Sequence, residues 1–316
     1  MKISIPTIKP RRLKAGGTIG VIAPASPPLS DEPLQKGITY LEDQGFRVKT
    51  GQSVRAKRGY LAGTDEERVR DIHTMFADPE VDAIIAVRGG YGCARYLHLL
   101  DYELIKRNPK IFVGYSDLTA LHCAIYNRTG LITFAGPMVA ADFGNDIDED
   151  ADAHFWSVIM EGKQGISATF DNTIEDPFKS QRGFTGNLLG GNLSVLCSLI
   201  GSAYLPDFNG GVLSLEEIGE PPYRIDRMLN QLKLSGVLSR LAGVMLGQFT
   251  DCVQNNDNPT LTLEEVFNDY FSSAEYPVIS KIPFGHEKRK VTLPMGGFVR
   301  FDPEKKSLII IESPVV

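Results

Sequence analysis

Ser116 is the residue from which a mechanism is most readily built. It stands in Ile111-Phe112-Val113-Gly114-Tyr115-Ser116-Asp117-Leu118-Thr119-Ala120-Leu121, where an apolar run stops at Gly114 and a helix rich in Leu and Ala begins almost at once. A serine at a strand-to-helix corner is held in the open, and the amides after it can stabilise an oxyanion: the physics of a nucleophile elbow. The usual elbow has glycine two residues after the serine, and here Leu118 holds that place. The segment also suits a plain helix start, with Ser116 as N-cap and Asp117 completing the turn.

A serine nucleophile needs a base and an acid that orients the base. His286 lies in Ile282-Pro283-Phe284-Gly285-His286-Glu287-Lys288-Arg289, between a glycine and a charged run, in a loop of the kind that carries function. His73, His98, His122 and His154 fall in apparent helices and read as structural or surface residues, although His122 follows Ser116 by only six positions. Glu216 and Glu217 close an apolar run just ahead of Gly219. Such a pair either orients an imidazole or is a solvated loop acid.

Arg88-Gly89-Gly90-Tyr91-Gly92 follows the apolar run 81–87, at the strand edge where ligands bind in open α/β sheets. Glycines there let backbone amides approach a ligand or an anionic intermediate. The dinucleotide fingerprint fails, because Arg95 occupies the third glycine position. There is no GxxxxGK[ST], and residues 18–23 lead into Pro24-Ala25-Ser26-Pro27-Pro28 rather than a phosphate loop. No histidine pair has ligand spacing and HExxH is missing, so neither a cofactor nor a metal is expected.

These residues need a scaffold, and the first half supplies a recurrent one. Short apolar runs at 18–23, 81–87, 111–113 and 131–134 read as strands, with another at 46–49. Between them, 31–43 reads as a helix, and Thr64-Asp65-Glu66-Glu67 as a capping box opening another with Val69, Ile72 and Phe76 on one face. The alternation predicts βαβ units around a parallel sheet. Residues 142–184 are more polar and read as a helix plus a connection. A second unit opens at Gly186-Asn187-Leu188-Leu189-Gly190-Gly191-Asn192-Leu193. It holds helices near 193–199 and 223–234, strands near 211–215, 242–246 and 278–282, and a closing hairpin around Asp302-Pro303. The expected division is 1–150 for the nucleophile-bearing domain, 151–184 for the connection and 185–316 for the second, mixed α/β domain.

The chain has 316 residues, which suits about two domains, and its net charge of −6 (33 basic against 39 acidic residues) argues against a nucleic-acid partner. No run approaches the ~18 apolar residues of a membrane helix. The basic N-terminus lacks an apolar segment, so no export signal is read there. Cys93, Cys123, Cys197 and Cys252 lie far apart without a CxxC pair, as in reduced thiols. A cytoplasmic protein is expected.

Taken in order, Tyr60-Leu61-Ala62-Gly63-Thr64-Asp65, Arg88-Gly89-Gly90-Tyr91-Gly92, Gly114-Tyr115-Ser116-Asp117, Gly136-Pro137-Met138, Leu215-Glu216 with Pro222-Tyr223-Arg224-Ile225-Asp226-Arg227, and Gly285-His286 with Val291-Thr292-Leu293-Pro294 form a specific set. The sequence resembles the LD-carboxypeptidase family, serine peptidases that include muramoyltetrapeptide carboxypeptidases, from about residue 17 to 314. The resemblance implies a flavodoxin-like parallel sheet with helices on both faces, a second mixed domain, and an active site in the cleft between them. It implies a triad of Ser116 as nucleophile, His286 as base and Glu216 as acid, with Glu217 as the rival acid. Backbone amides of Asp117 and of the 89–91 turn, Gly90 foremost, would form the oxyanion hole. The implied substrate is a murein tetrapeptide losing its terminal D-alanine in peptidoglycan recycling. Microcin C immunity proteins, which cleave aminoacyl- or peptidyl-sulfamoyl adenylates, belong to the same family; Trp156 is the one tryptophan available to stack an adenine. A non-catalytic α/β ligand-binding protein is the alternative of another class. Arg88, Arg224 and Arg227 are candidates for the substrate carboxylate. Family members are often dimers, so a homodimer is compatible with the resemblance.

Overall fold

The computed structural model describes residues 6–165, 174–175, 177–178, 182–254 and 258–316. Its first sheet is built from the apolar runs. β1 (Thr18–Ile22), β3 (Ala83–Ala86) and β4 (Ile111–Val113) are buried at every position, while β2 (Arg47–Thr50) is partly exposed. Strands buried on both faces must be apolar throughout, which is why these runs do not alternate. Together with β5 (Thr133–Ala135) they form a parallel array in the order β2-β1-β3-β4-β5, the flavodoxin-like order.

Helices α1 (Asp31–Asp43), α2 (Asp65–Ala77), α3 (Tyr102–Arg107), α4 (Thr119–Thr129) and α5 (Glu149–Trp156) surround this sheet. On one face, Leu34, Ile38 and Leu41 of α1 and Phe155 of α5 pack with Ile19, Val21 and Ile85. On the other, Ile72 and Phe76 of α2 and Leu121 and Ile125 of α4 pack with Ile22, Ile84 and Phe112. The Thr64–Glu67 capping box at the start of α2 is present in both directions, Glu67 N donating to Thr64 Oγ1 at 3.2 Å and Thr64 N to Glu67 Oε2 at 2.7 Å. Caps of this kind stabilise by about 1 kcal/mol.

The second sheet is mixed. β6 (Phe184–Asn192), β7 (Val212–Ile218), β8 (Gly243–Thr250) and β9 (Val278–Ile279) run parallel. β10 (Leu293–Met295) leaves this unit and pairs antiparallel with β5, as the sixth strand of the first sheet. The chain then returns with the hairpin of β11 (Phe298–Asp302) and β12 (Ser307–Ile310), and β11 pairs antiparallel with β6. α6 (Leu193–Ser198), α7 (Pro222–Leu234) and α8 (Leu263–Phe271) cover one face. The glycine-rich opening of the second unit is thus the greater part of a nine-residue strand. Gly191 in it (φ +126) allows close approach to α4: a Cβ there would come within 2.5 Å of Thr119 Oγ1, and Asn192 N donates to that hydroxyl at 2.9 Å. Leu193 and Leu196 of α6 share one continuous core with Leu121 of α4 and Ile225 and Leu229 of α7, so the two sheets pack through α4 and α6. No helix among the described residues is long and apolar enough to cross a membrane.

Candidate active site

Ser116 stands where β4 gives way to α4. Gly114 N still donates to Phe134 O at 3.0 Å, Tyr115 is extended, and Ser116 turns the chain with φ +65. That left-handed conformation costs a non-glycine residue roughly 1–2 kcal/mol. Ser116–Leu118 form one short 3-10 turn, and no side-chain hydrogen bond caps that turn or α4. Ser116 is therefore not an N-cap, and its hydroxyl is not consumed in that role. Leu118, in the place where elbows usually carry glycine, folds back over Gly114, where any Cβ would collide with Leu118 Cδ2. The glycine that makes room for this turn precedes the serine instead of following it.

Two further loops converge on the serine from the carboxyl ends of β3 and β1. Gly89 faces it so closely that a Cβ would lie 2.8 Å from Ser116 Cβ and 3.0 Å from Oγ. Gly90 (φ +123) is packed against Ser26, whose Oγ accepts from Tyr91 N at 3.2 Å. Asp117 ties this turn to the elbow, its Oδ2 accepting from Cys93 N at 2.8 Å. Burial raises the Asp117 pKa, and the bonds from Cys93 work against that rise.

The neighbouring acids Glu216 and Glu217 point to opposite sides of β7, near a register shift between β7 and β8. Glu216 Oε2 lies 2.7 Å from His286 Nδ1, with the carboxylate almost fully buried. Its other oxygen, Oε1, is buried and has no hydrogen-bond partner among the described residues. Glu217 serves the start of α6: it accepts from Asn192 Nδ2 (2.9 Å), Ser194 N (2.7 Å) and Ile218 N (2.9 Å). Burial raises its pKa, against those hydrogen bonds.

The segment carrying His286 is pinned at several points. Gln248 of β8 holds it with both ends of its amide, Oε1 accepting from Glu287 N (3.0 Å) and Nε2 donating to Arg289 O (2.9 Å). The His286 and Tyr115 rings pack edge-to-face, with centroids 5.3 Å apart and planes at 78°. Lys290, four residues on, donates to Asp142 Oδ1 (2.7 Å) and Tyr115 Oη (3.0 Å). Ser116, Thr119, Gly191, Glu216, Gly285 and Lys290 line one small pocket. Ser116, Glu216 and His286, read from distant parts of the sequence, are thus gathered in one place.

Other candidates go elsewhere. His122 is a strut under the elbow: Nε2 donates to Gly114 O and Nδ1 accepts from Thr133 Oγ1, both at 2.8 Å. Burial lowers its pKa to about 4, so the ring is neutral. His73 Nε2 accepts from Asp101 N, and His154 Nδ1 from Thr292 N. Arg224 pairs with Glu220 at 3.0 Å and Arg227 lies over the Tyr223 ring, whereas Arg88 is half-buried directly after β3. Trp156 stacks on Phe46 at 5.0 Å and donates to Tyr40 Oη, away from the pocket. Lys290, Asp142 and Gln248 stand in no motif of the sequence that marks them as site residues. The one signal for Lys290 was its place beside His286; Asp142 lies 148 positions away.

Comparison with known proteins places the chain as a whole. Residues 19–136 match the model of the LD-carboxypeptidase N-terminal domain and residues 185–301 that of the LD-carboxypeptidase C-terminal domain. A probable murein peptide carboxypeptidase of Bacillus subtilis is 40% identical, over 96% of this chain and 94% of its own. The crystal structure of muramoyltetrapeptide carboxypeptidase from Oxalobacter formigenes superposes with a TM-score of 0.79 at 32% identity, covering 92% of this chain and 97% of that one. The wild-type apo structure of the microcin C7 self immunity protein MccF superposes at 0.88 with 25% identity, covering 98% and 100%. The chain belongs to the LD-carboxypeptidase family. It is an enzyme, a peptidase of the murein carboxypeptidase type.

Proposed function

We propose that this enzyme is a serine LD-carboxypeptidase that hydrolyses the L,D-amide before the terminal D-alanine of murein tetrapeptides, in cytoplasmic peptidoglycan recycling. The observation that carries this reading is the pairing of His286 Nδ1 with the buried Glu216, set against Tyr115 beside the half-buried corner at Ser116. An ionised carboxylate only accepts hydrogen bonds, so Nδ1 holds the ring proton and Nε2 is left as the base.

The steps follow from those roles. His286 Nε2 takes the Ser116 hydroxyl proton as Oγ attacks the carbonyl carbon of the diaminopimelyl– or lysyl–D-alanine amide. Glu216 stabilises the imidazolium that results. The oxyanion of the tetrahedral intermediate rests on the backbone N–H groups of Gly90 and Asp117; one such donor is worth ~10²–10³ in rate. His286 then returns the proton to the leaving amine, D-alanine departs, and an acyl ester remains on Ser116. Water, deprotonated by His286, hydrolyses the ester to the tripeptide and restores the hydroxyl. In this reading the site lies in the cleft between the two domains, with the serine from one and the histidine and glutamate from the other.

The test is release of D-alanine from a murein tetrapeptide by the wild-type chain and by Ser116→Ala. Release that vanishes in the variant is expected. Release unchanged in Ser116→Ala ends the triad reading, and no release by wild type ends the murein reading. The structural likeness to the microcin immunity protein favours one second reading, cleavage of a sulfamoyl adenylate, to be assayed in parallel. Trp156, committed to Phe46, weighs against it as an adenine platform.

A further inference from the structure

The proposed nucleophile and base lie on segments that leave different sheets, and the His286 segment rejoins the first sheet only at β10. Ser116 follows β4 of the first. His286 follows β9 of the second, on a segment that Gln248 fastens to β8. A proton transfer between them needs registration to a fraction of an ångström, since a displacement of ~1 Å can cost about 10²-fold in rate.

Between His286 and β10, Lys290 makes a connection of this kind. It lies on the His286 segment, yet its ammonium reaches the first unit, where Asp142 Oδ1 accepts at 2.7 Å. Asp142 is itself fixed, its Oδ2 accepting from Met138 N at 2.9 Å just after β5. Both side chains are less than a tenth exposed. The ammonium also lies over the Tyr115 ring, 4.1 Å from its centre, and donates to Tyr115 Oη at 3.0 Å. Tyr115 is the residue before Ser116, and its ring packs edge-to-face with the His286 imidazole. One cation therefore touches the chain next to the nucleophile and anchors the segment that carries the base.

We propose that Lys290 is a positioning residue: paired with Asp142 and seated on Tyr115, it holds His286 in register with Ser116. A buried ion pair is a poor choice for stability alone, because well-packed apolar residues of similar volume do as well or better. What an ion pair adds is direction, fixing one alignment of two surfaces that apolar packing would let slide. This inference rests on the Ser116–His286–Glu216 reading and goes beyond it.

Full-length Lys290→Met, Asp142→Asn and the double variant test it, each measured for kcat and KM of D-alanine release, rate of Ser116 modification by a fluorophosphonate, and thermal midpoint. Each single variant is expected to lose about 10²-fold in kcat and in modification rate, with KM within about twofold. Each also leaves a buried charge unpaired and melts earlier. The double variant leaves no orphan charge, so its midpoint returns toward wild type while kcat stays low. Recovery of kcat together with the midpoint would overturn the proposal, as would wild-type kcat in Lys290→Met. Should Lys290→Met fail to fold, Asp142→Asn and the double variant carry the same comparison. Wild-type chain that reacts with fluorophosphonate but releases no D-alanine removes the substrate reading alone, and the modification rates still decide the role of Lys290. Wild-type chain inert to both removes the nucleophile reading on which it rests.

Discussion

Glu216 and Glu217 are adjacent, yet only Glu216 meets the histidine: its Oε2 is 2.7 Å from His286 Nδ1, while both oxygens of Glu217 are taken by Asn192, Ser194 and Ile218. Alternation along β7 separates two chemistries that the sequence sets side by side.

The two glutamates should therefore fail in different ways. Glu216→Gln is expected to lower kcat for D-alanine release by about 10³–10⁴, through the wrong histidine tautomer, while the fold persists. Glu217→Gln is expected to keep kcat within about tenfold and to lose about 1 kcal/mol of stability in urea, because charge-assisted bonds to the start of α6 are weakened. Equal losses of kcat in the two variants would remove the distinction.

The left-handed backbone at Ser116 makes a prediction independent of substrate. Ser116→Ala and Ser116→Gly should both be inactive, but glycine has no Cβ to strain at φ +65. The glycine variant is expected to be the more stable of the two by about 1 kcal/mol in urea unfolding. Equal stabilities would mean that the corner stores no strain.

His122 gives the acid side of the stability profile a defined contribution. Its pKa falls from an ordinary 6.5 to about 4 in the folded chain, through burial. Below 6.5 the unfolded chain therefore binds a proton that the folded chain refuses. The contribution is complete above the ordinary value, declines as pH falls, and is spent near pH 4; its size is on the order of 3 kcal/mol. His122→Gln lacks this dependence, so the gap in unfolding free energy between wild type and variant should narrow by about that amount from pH 7 to pH 4. Parallel curves over that range would refute the assignment.

How far the sequence disclosed all this differs from element to element. β1, β3 and β4 were legible because strands covered on both faces must be continuously apolar, and the corner at Ser116 because strand and helix signals meet there. β6 was not legible as a strand, since Gly186, Gly190 and Gly191 lower strand propensity where Thr119 and Ser214 press close. β10 shows in the sequence only as part of a motif. A three-residue strand with Pro294 at its centre carries almost no periodic signal, and proline is admitted because the strand lies at the sheet edge. The rival glutamates could not be told apart without the orientation of β7. Nor could Lys290 and Asp142 be joined, because no local pattern links residues on different units.

The return of the chain at residues 293–295 also sets an order of events during synthesis. Until those residues emerge, β5 has a neighbour on one side only, and its other edge is an open template for unwanted strand pairing. The segment that closes it comes late in the order of strands, just after His286 and Lys290. A chain cut short before this point has an unsealed first sheet and lacks, or leaves unanchored, the proposed base. The proposed base and the strand that seals the sheet are thus supplied by the same short stretch, at nearly the same moment.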